Sequence, residues 1–156
     1  MIVATPAKVL AYYFQSIGVG VFSSSTTAVW PLGWSKIPDN DPRNRIVIFD
    51  VGKIPLPAYQ RTGETPQMPL VQIRIRAAEV EYDKGWNKGE TIVGQNQILD
   101  QLYNAMVTIP LLTGGGNETV KIKSARVYLP LTSIGQTGDK KDWHFVTSVR
   151  LHLEGV

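Results

Sequence analysis

Residues 143–153 alternate without a break. Trp143, Phe145, Thr147, Val149, Leu151 and Leu153 fall on one face; His144, Val146, Ser148, Arg150 and His152 fall on the other. A period of two over that length is the mark of a β-strand with one buried face. Its backbone groups need hydrogen-bond partners on neighbouring strands, which commits the chain to a sheet covered on one side. A second segment repeats the pattern from Leu70: Val71, Ile73, Ile75 and Ala77 oppose Gln72, Arg74 and Arg76. After Ala78 the phase slips before Val80 and Tyr82. This predicts a bulge near Ala77-Ala78, with Asp83-Lys84-Gly85 closing the strand. A third segment, 119–129, turns Val120 and Ile122 inward and then Ala125, Val127 and Leu129. That one-residue slip predicts a bulge near Ser124.

Residues 45–51, Arg-Ile-Val-Ile-Phe-Asp-Val, are apolar on both faces. A strand of this kind is covered on two sides, by a helix on one and by a neighbouring subunit on the other. Ile46, Ile48 and Phe49 are therefore the expected subunit-interface residues. Residues 21–34 read as an irregular strand broken near Pro31. Two helices are expected. The first is 6–17, with Thr5 as N-cap, Pro6 at its first position, and Val9, Leu10, Tyr13, Phe14 and Ile17 as its apolar stripe. The second is 88–107, with Ile92, Ile98, Leu99, Leu102, Tyr103 and Met106 inward and an amide-rich outer face. Residues 52–69 hold four prolines and predict a projecting arm, whose contact residues are Pro55, Pro57, Tyr59 and Arg61. A glycine turn at 114–117 precedes the third strand, and a long loop at 130–142 precedes the last. Strands do not alternate with helices along the chain. The fold class expected is α+β: a mostly antiparallel sheet with two helices packed on one face and long projecting loops, in a single domain spanning 1–156.

The residue types narrow the chemistry. The chain has no cysteine, which excludes disulfides, thiolate metal sites and thiol catalysis. His144 and His152 are the only histidines. They lie roughly 26 Å apart along one strand and do not share a metal ion. The Ser23–Thr27 hydroxyl run lacks a nucleophile-elbow frame, and Gly18-x-Gly20 lacks the third glycine of a dinucleotide fingerprint. Residues 135–140 have the wrong glycine spacing for a phosphate loop, Asp39-Asn40-Asp41 is followed by Pro42, and Asp50 has no nearby partner carboxylate. No catalytic residue, cofactor or metal is expected. No apolar run reaches a membrane span, and a signal peptide is not expected at the N-terminus.

Charge offers one constellation. Lys and Arg number 16 against 13 Asp and Glu. Arg74 and Arg76, then Lys121, Lys123 and Arg126, then Arg150 all leave the apolar face of their strands. On neighbouring strands they form a basic sheet face suited to nucleic acid or to an acidic partner.

Several short patterns occur in a recognisable order. Ile37-Pro38-Asp39-Asn40 precedes Ile46-Val47-Ile48-Phe49-Asp50-Val51-Gly52. Pro69-Leu70-Val71-Gln72-Ile73-Arg74-Ile75-Arg76 follows, and a loop with Gly138-Asp139 leads into the strand from Trp143. The chain thereby resembles the minor capsid or tail terminator family of tailed bacteriophages over most of residues 1–154. The resemblance implies a structural virion protein rather than an enzyme. Such a protein forms a homohexameric ring that caps the head-proximal end of the tail tube, stops tube polymerisation and joins the tail to the head-completion connector. The implied partners are further copies of itself, the tail tube protein, the head–tail connector protein, and phage DNA passing through the lumen without sequence readout. No membrane is implied. The basic face would line the lumen or meet an acidic tube surface. Another head–tail connector, a tail tube subunit and a nucleic-acid-binding module are the alternative readings.

Overall fold

Helix α1 (Pro6–Ser16) forms where its caps place it. The Thr5 hydroxyl accepts a 3.4 Å bond from the Lys8 N–H, and Pro6 occupies the first turn. The Asp50 carboxylate accepts from the Ala7 N–H at 2.8 Å. The acid at the end of the strand Arg45–Asp50 thus serves as a helix N-terminal cap, favourable to the exposed N–H groups and the helix dipole. Gly18, at φ +82°, supplies the left-handed residue beyond the helix. Asp50→Ala is expected to cost about 1 kcal/mol of stability, read as a lower urea midpoint with an unchanged slope.

The computed structural model describes residue 2 and residues 4–22, 30–35, 44–51, 68–111, 114–137 and 141–155. The sheet has six strands: β1 (Leu32–Trp34), β2 (Arg45–Asp50), β3 (Leu70–Ala77), β4 (Ala105–Pro110), β5 (Asn117–Thr137) and β6 (Asp142–Gly155). They lie in the order β1-β2-β3-β6-β5-β4. β1 runs parallel to β2 and every other pairing is antiparallel. The α+β class with two helices on one face is therefore correct. Helix α2 (Tyr82–Val93) lies over Ile75, Phe145 and Leu131, while the α1 ring Tyr12 meets Trp34, whose row continues through Ile48 and Ile73. One apolar core takes side chains from both helices and all six strands.

Several boundaries differ from expectation, each for a physical reason. β3 ends at Ala77 with no bulge, and Tyr82 opens a helix instead of extending the strand. The expected helix 88–107 is instead α2 at 82–93, a run of turns, and β4. Asn96 (φ 59°) and Asn104 (φ 49°) interrupt any helix there. β4 then buries Val107 and Ile109 while Met106 stays exposed. Gly85, expected to close a strand, and Gly89, expected near the start of the second helix, form the contact face of α2. A Cβ on Gly85 would stand 2.6 Å from Phe145 Cε2, and one on Gly89 2.6 Å from Leu131 Cδ2.

The expected loop 130–142 is mostly strand, because β5 continues to Thr137. Register slips between Ile122 and Ser124, as expected, and again at Val127/Leu129, Leu129/Thr132 and Ser133/Gly135. The slip at 127–129 turns Leu129 outward against expectation, opposite Ser148. Ile46 and Ile48, expected at a subunit interface, are fully buried in the chain's own core. On the opposite face Val47 is buried as well and Phe49 half-buried, so much of the strand's double apolarity is covered within the chain. The arm residues Pro55, Pro57, Tyr59 and Arg61 lie outside the described residues, as do 23–29 and 36–43.

Candidate functional site: a cationic sheet face

The face of the sheet opposite the helices carries the basic residues. Arg45, Arg76 and His144 stand side by side on β2, β3 and β6. Arg74 lies two residues along β3, between Val47 and Val146. Farther along β6, Arg150 faces Arg126 on β5, and beyond it Lys123 Nζ reaches Glu154 Oε2 at 3.6 Å. Lys121 is also opposite Glu154. All six basic residues expected from the sequence thus share one face, in a stripe. His144 and Arg150 alone are roughly 20 Å apart along their strand.

The bulge at Ser124 makes this possible. With strict alternation after Ile122, Arg126 would point into the core. The extra residue puts Ala125 opposite Leu151 and Arg126 opposite Arg150. Aromatic rings then orient two guanidinium groups. Arg74 Cζ lies 5.9 Å from the Phe49 ring centroid and Arg150 Cζ lies 5.4 Å from that of Tyr128. Phe49 is half-buried on this face and not at a strand-pairing edge.

The sequence pattern missed two members of the site. Arg45 was legible only as the start of an apolar run, and His144 only as an exposed strand residue. In the fold Arg45 retains 7% of its exposure and His144 9%. Four nitrogens on this face are buried with no hydrogen-bond partner: Nε of Arg45, Arg74 and Arg150, and Nδ1 of His144. Arg76 Nε stands 4.0 Å from Asp142 Oδ2. Burial and then the Arg76 charge push Arg45 below the usual guanidinium range. Burial lowers His144 most, Arg74 and Arg76 lower it further, and Asp142 partly offsets them.

A histidine held below its ordinary value of 6.5 takes up a proton more readily when unfolded. Stability is therefore full above about pH 6.5 and falls as pH drops from there toward the folded-state value. The His152 value is lowered too, chiefly by burial and then by Lys123. Melting temperature is expected to fall between pH 7.5 and pH 5, with a shallower slope for His144→Asn and a flatter one when His152→Asn is added. An unchanged slope in the double variant would contradict this assignment.

A second feature lies at the sheet's border. β4 pairs with β5 only from Ile122 to Asn117, and the Asn104 N–H reaches Lys123 O at 3.1 Å. Beyond that point residues 124–137 have β6 on one side and, among the described residues, no strand on the other. This open edge is apolar: Val127, Tyr128, Leu129 and Ile134 are 41–56% exposed. Pro130, which has no N–H to donate, sits where an edge strand tolerates it.

Among the described residues no cluster of His, Asp or Glu is arranged to hold a metal ion. Among the described residues no helix is long and apolar enough to cross a membrane. The chain matches no protein-family model and no curated protein sequence.

Proposed function

We propose that this chain is the repeating subunit of a closed ring in a bacteriophage virion, a tail terminator that caps the head-proximal end of the tail tube. The open apolar edge at 124–137 is the observation that carries the reading. A long edge strand with exposed Val, Tyr, Leu and Ile side chains is a hazard to a free monomer and is normally blunted or covered. When the covering partner is another copy using a different surface, the contact is heterologous, and it closes into a ring when the rotation allows. The order of motifs from residue 37 to the last strand supports the phage assignment. The cationic face supports a lumen through which DNA slides on its backbone charge, without base readout. The subunit stops tube growth, joins the tail to the head–tail connector, and does so by interface geometry alone. The same edge would also serve a tube subunit or another connector; these differ in stacking on without limit or in meeting a different neighbour.

The test is Leu129→Lys combined with Ile134→Lys. Both side chains are exposed, so monomer stability is expected to stay within about 0.5 kcal/mol. Loss of ring assembly and of the ability to arrest growing tail tubes, with the melting temperature retained, is the expected result. Normal rings and normal tube arrest from this variant would refute the reading.

A further inference from the structure

Among the described residues, Arg45, Arg74 and His144 on the basic face each keep a buried nitrogen without a hydrogen-bond partner. A buried nitrogen without an acceptor is unfavourable, and crowding like charges adds to the penalty. Such groups are rare in folded proteins and call for an explanation. Here Arg45 Nε, Arg74 Nε and His144 Nδ1 are orphaned within two adjacent rows of one sheet face. Arg76 stands between Arg45 and His144. We propose that Arg45, Arg74, Arg76 and His144 form a binding site for a phosphate oxyanion, either free phosphate or a phosphodiester of a nucleic-acid backbone.

The chemistry of the donors selects the ligand. Guanidinium groups donate and never accept, so the ligand must be rich in acceptors and negative. The Nε atoms of Arg45 and Arg74 are buried without an acceptor; an anion seated against them would meet the side-on fork of arginine, which takes two oxygens in parallel. The donors come from three neighbouring strands, spread over about 10 Å at a strand spacing of about 4.8 Å. A planar carboxylate with two oxygens satisfies one fork, whereas a tetrahedral anion presents oxygens to several strands at once. Asp142, 4.0 Å from Arg76 Nε, steadies that side chain, and the unpartnered Nε atoms of Arg45 and Arg74 are the donors left for a ligand. The Phe49 ring beside Arg74 fixes its guanidinium before any ligand arrives, which lowers the ordering cost of binding. The site does not require a ring, because all four residues belong to one chain.

The experiment follows thermal unfolding of the whole protein while sodium phosphate replaces sodium chloride at constant ionic strength, with sodium acetate as control. A thymidine oligonucleotide is titrated in parallel. Phosphate is expected to raise the melting temperature saturably and acetate is not. Arg45→Met and Arg74→Gln are each expected to weaken phosphate binding about tenfold, the factor that one charged hydrogen bond is worth. Arg45→Met is further expected to melt no lower than wild type in chloride, because it removes a buried cation whose Nε has no acceptor; a purely structural arginine would show the reverse. Failure of Arg45→Met to fold would mark Arg45 as structural and remove it from the site; Arg74→Gln, at a half-buried position, then decides the proposal. Oligonucleotide that displaces phosphate identifies the backbone phosphodiester as the ligand, and phosphate binding that the oligonucleotide does not disturb identifies the free anion. Equal effects of acetate and phosphate, or unchanged phosphate affinity in both variants, would overturn the proposal.

Discussion

Phe145→Ala is expected to bring the chain to the edge of unfolding. Phe145 is fully buried on β6. Its ring meets Tyr82 at 5.0 Å and Trp86 at 6.0 Å between centroids, and Gly85 of α2 packs directly on it. It is the side chain through which α2 reads the position of the sheet. Truncating a buried phenylalanine costs about 3–5 kcal/mol, against a total stability of about 5–15 kcal/mol for a domain. The urea midpoint is expected to fall by a large fraction of its value. A loss below about 1 kcal/mol would mean that the site collapses freely and that α2 is not held by this contact.

Gly85→Val is expected to be nearly as damaging, for the opposite reason. Glycine in a helix interior is ordinarily about 1 kcal/mol worse than alanine, so side chains added there usually help. At this position a Cβ would stand 2.6 Å from Phe145 Cε2 and 2.7 Å from the Ala77 Cβ. The helix would have to lift from the sheet, and overpacking typically costs about 1–3 kcal/mol, occasionally more. The two residues form one contact, so their effects are coupled. Gly85→Ala combined with Phe145→Leu is expected to cost less than the sum of the single changes. Strict additivity in the urea midpoints would show that the helix and Phe145 do not meet.

These two positions also show why part of the fold was hidden in the sequence. Where burial and backbone period agree, the pattern was legible. β6 and β3 up to Ala77 fall where their alternation puts them, β2 falls where its continuous apolar run does, and α1 falls between its threonine cap and its glycine. α2 was not legible because its contact face is glycine, which carries no hydrophobic signal and reads as a breaker. Leu99 and Leu102 are buried from a turn rather than from a helix, so their three-residue spacing imitated a helix face. In β4, alternation of Val107 and Ile109 against Met106 and Thr108 was present, but too short to outweigh the preceding stripe. The cationic face was legible residue by residue because the bulge at Ser124 announced itself as a slip in phase. Its buried members, Arg45 and His144, were not, because burial of a polar residue depends on register across three strands. The far half of β5 was hidden by Pro130 and Gly135, which mark loops in most contexts and here lie in an edge strand full of bulges.

The central claim is that copies of this chain close into a ring through the edge at 124–137. Native mass of the purified protein, measured over a wide concentration range at moderate salt, tests it most directly. The account predicts a closed species of about six subunits with nothing longer. An open-ended ladder of masses, or a strict monomer up to the highest concentration, would contradict it.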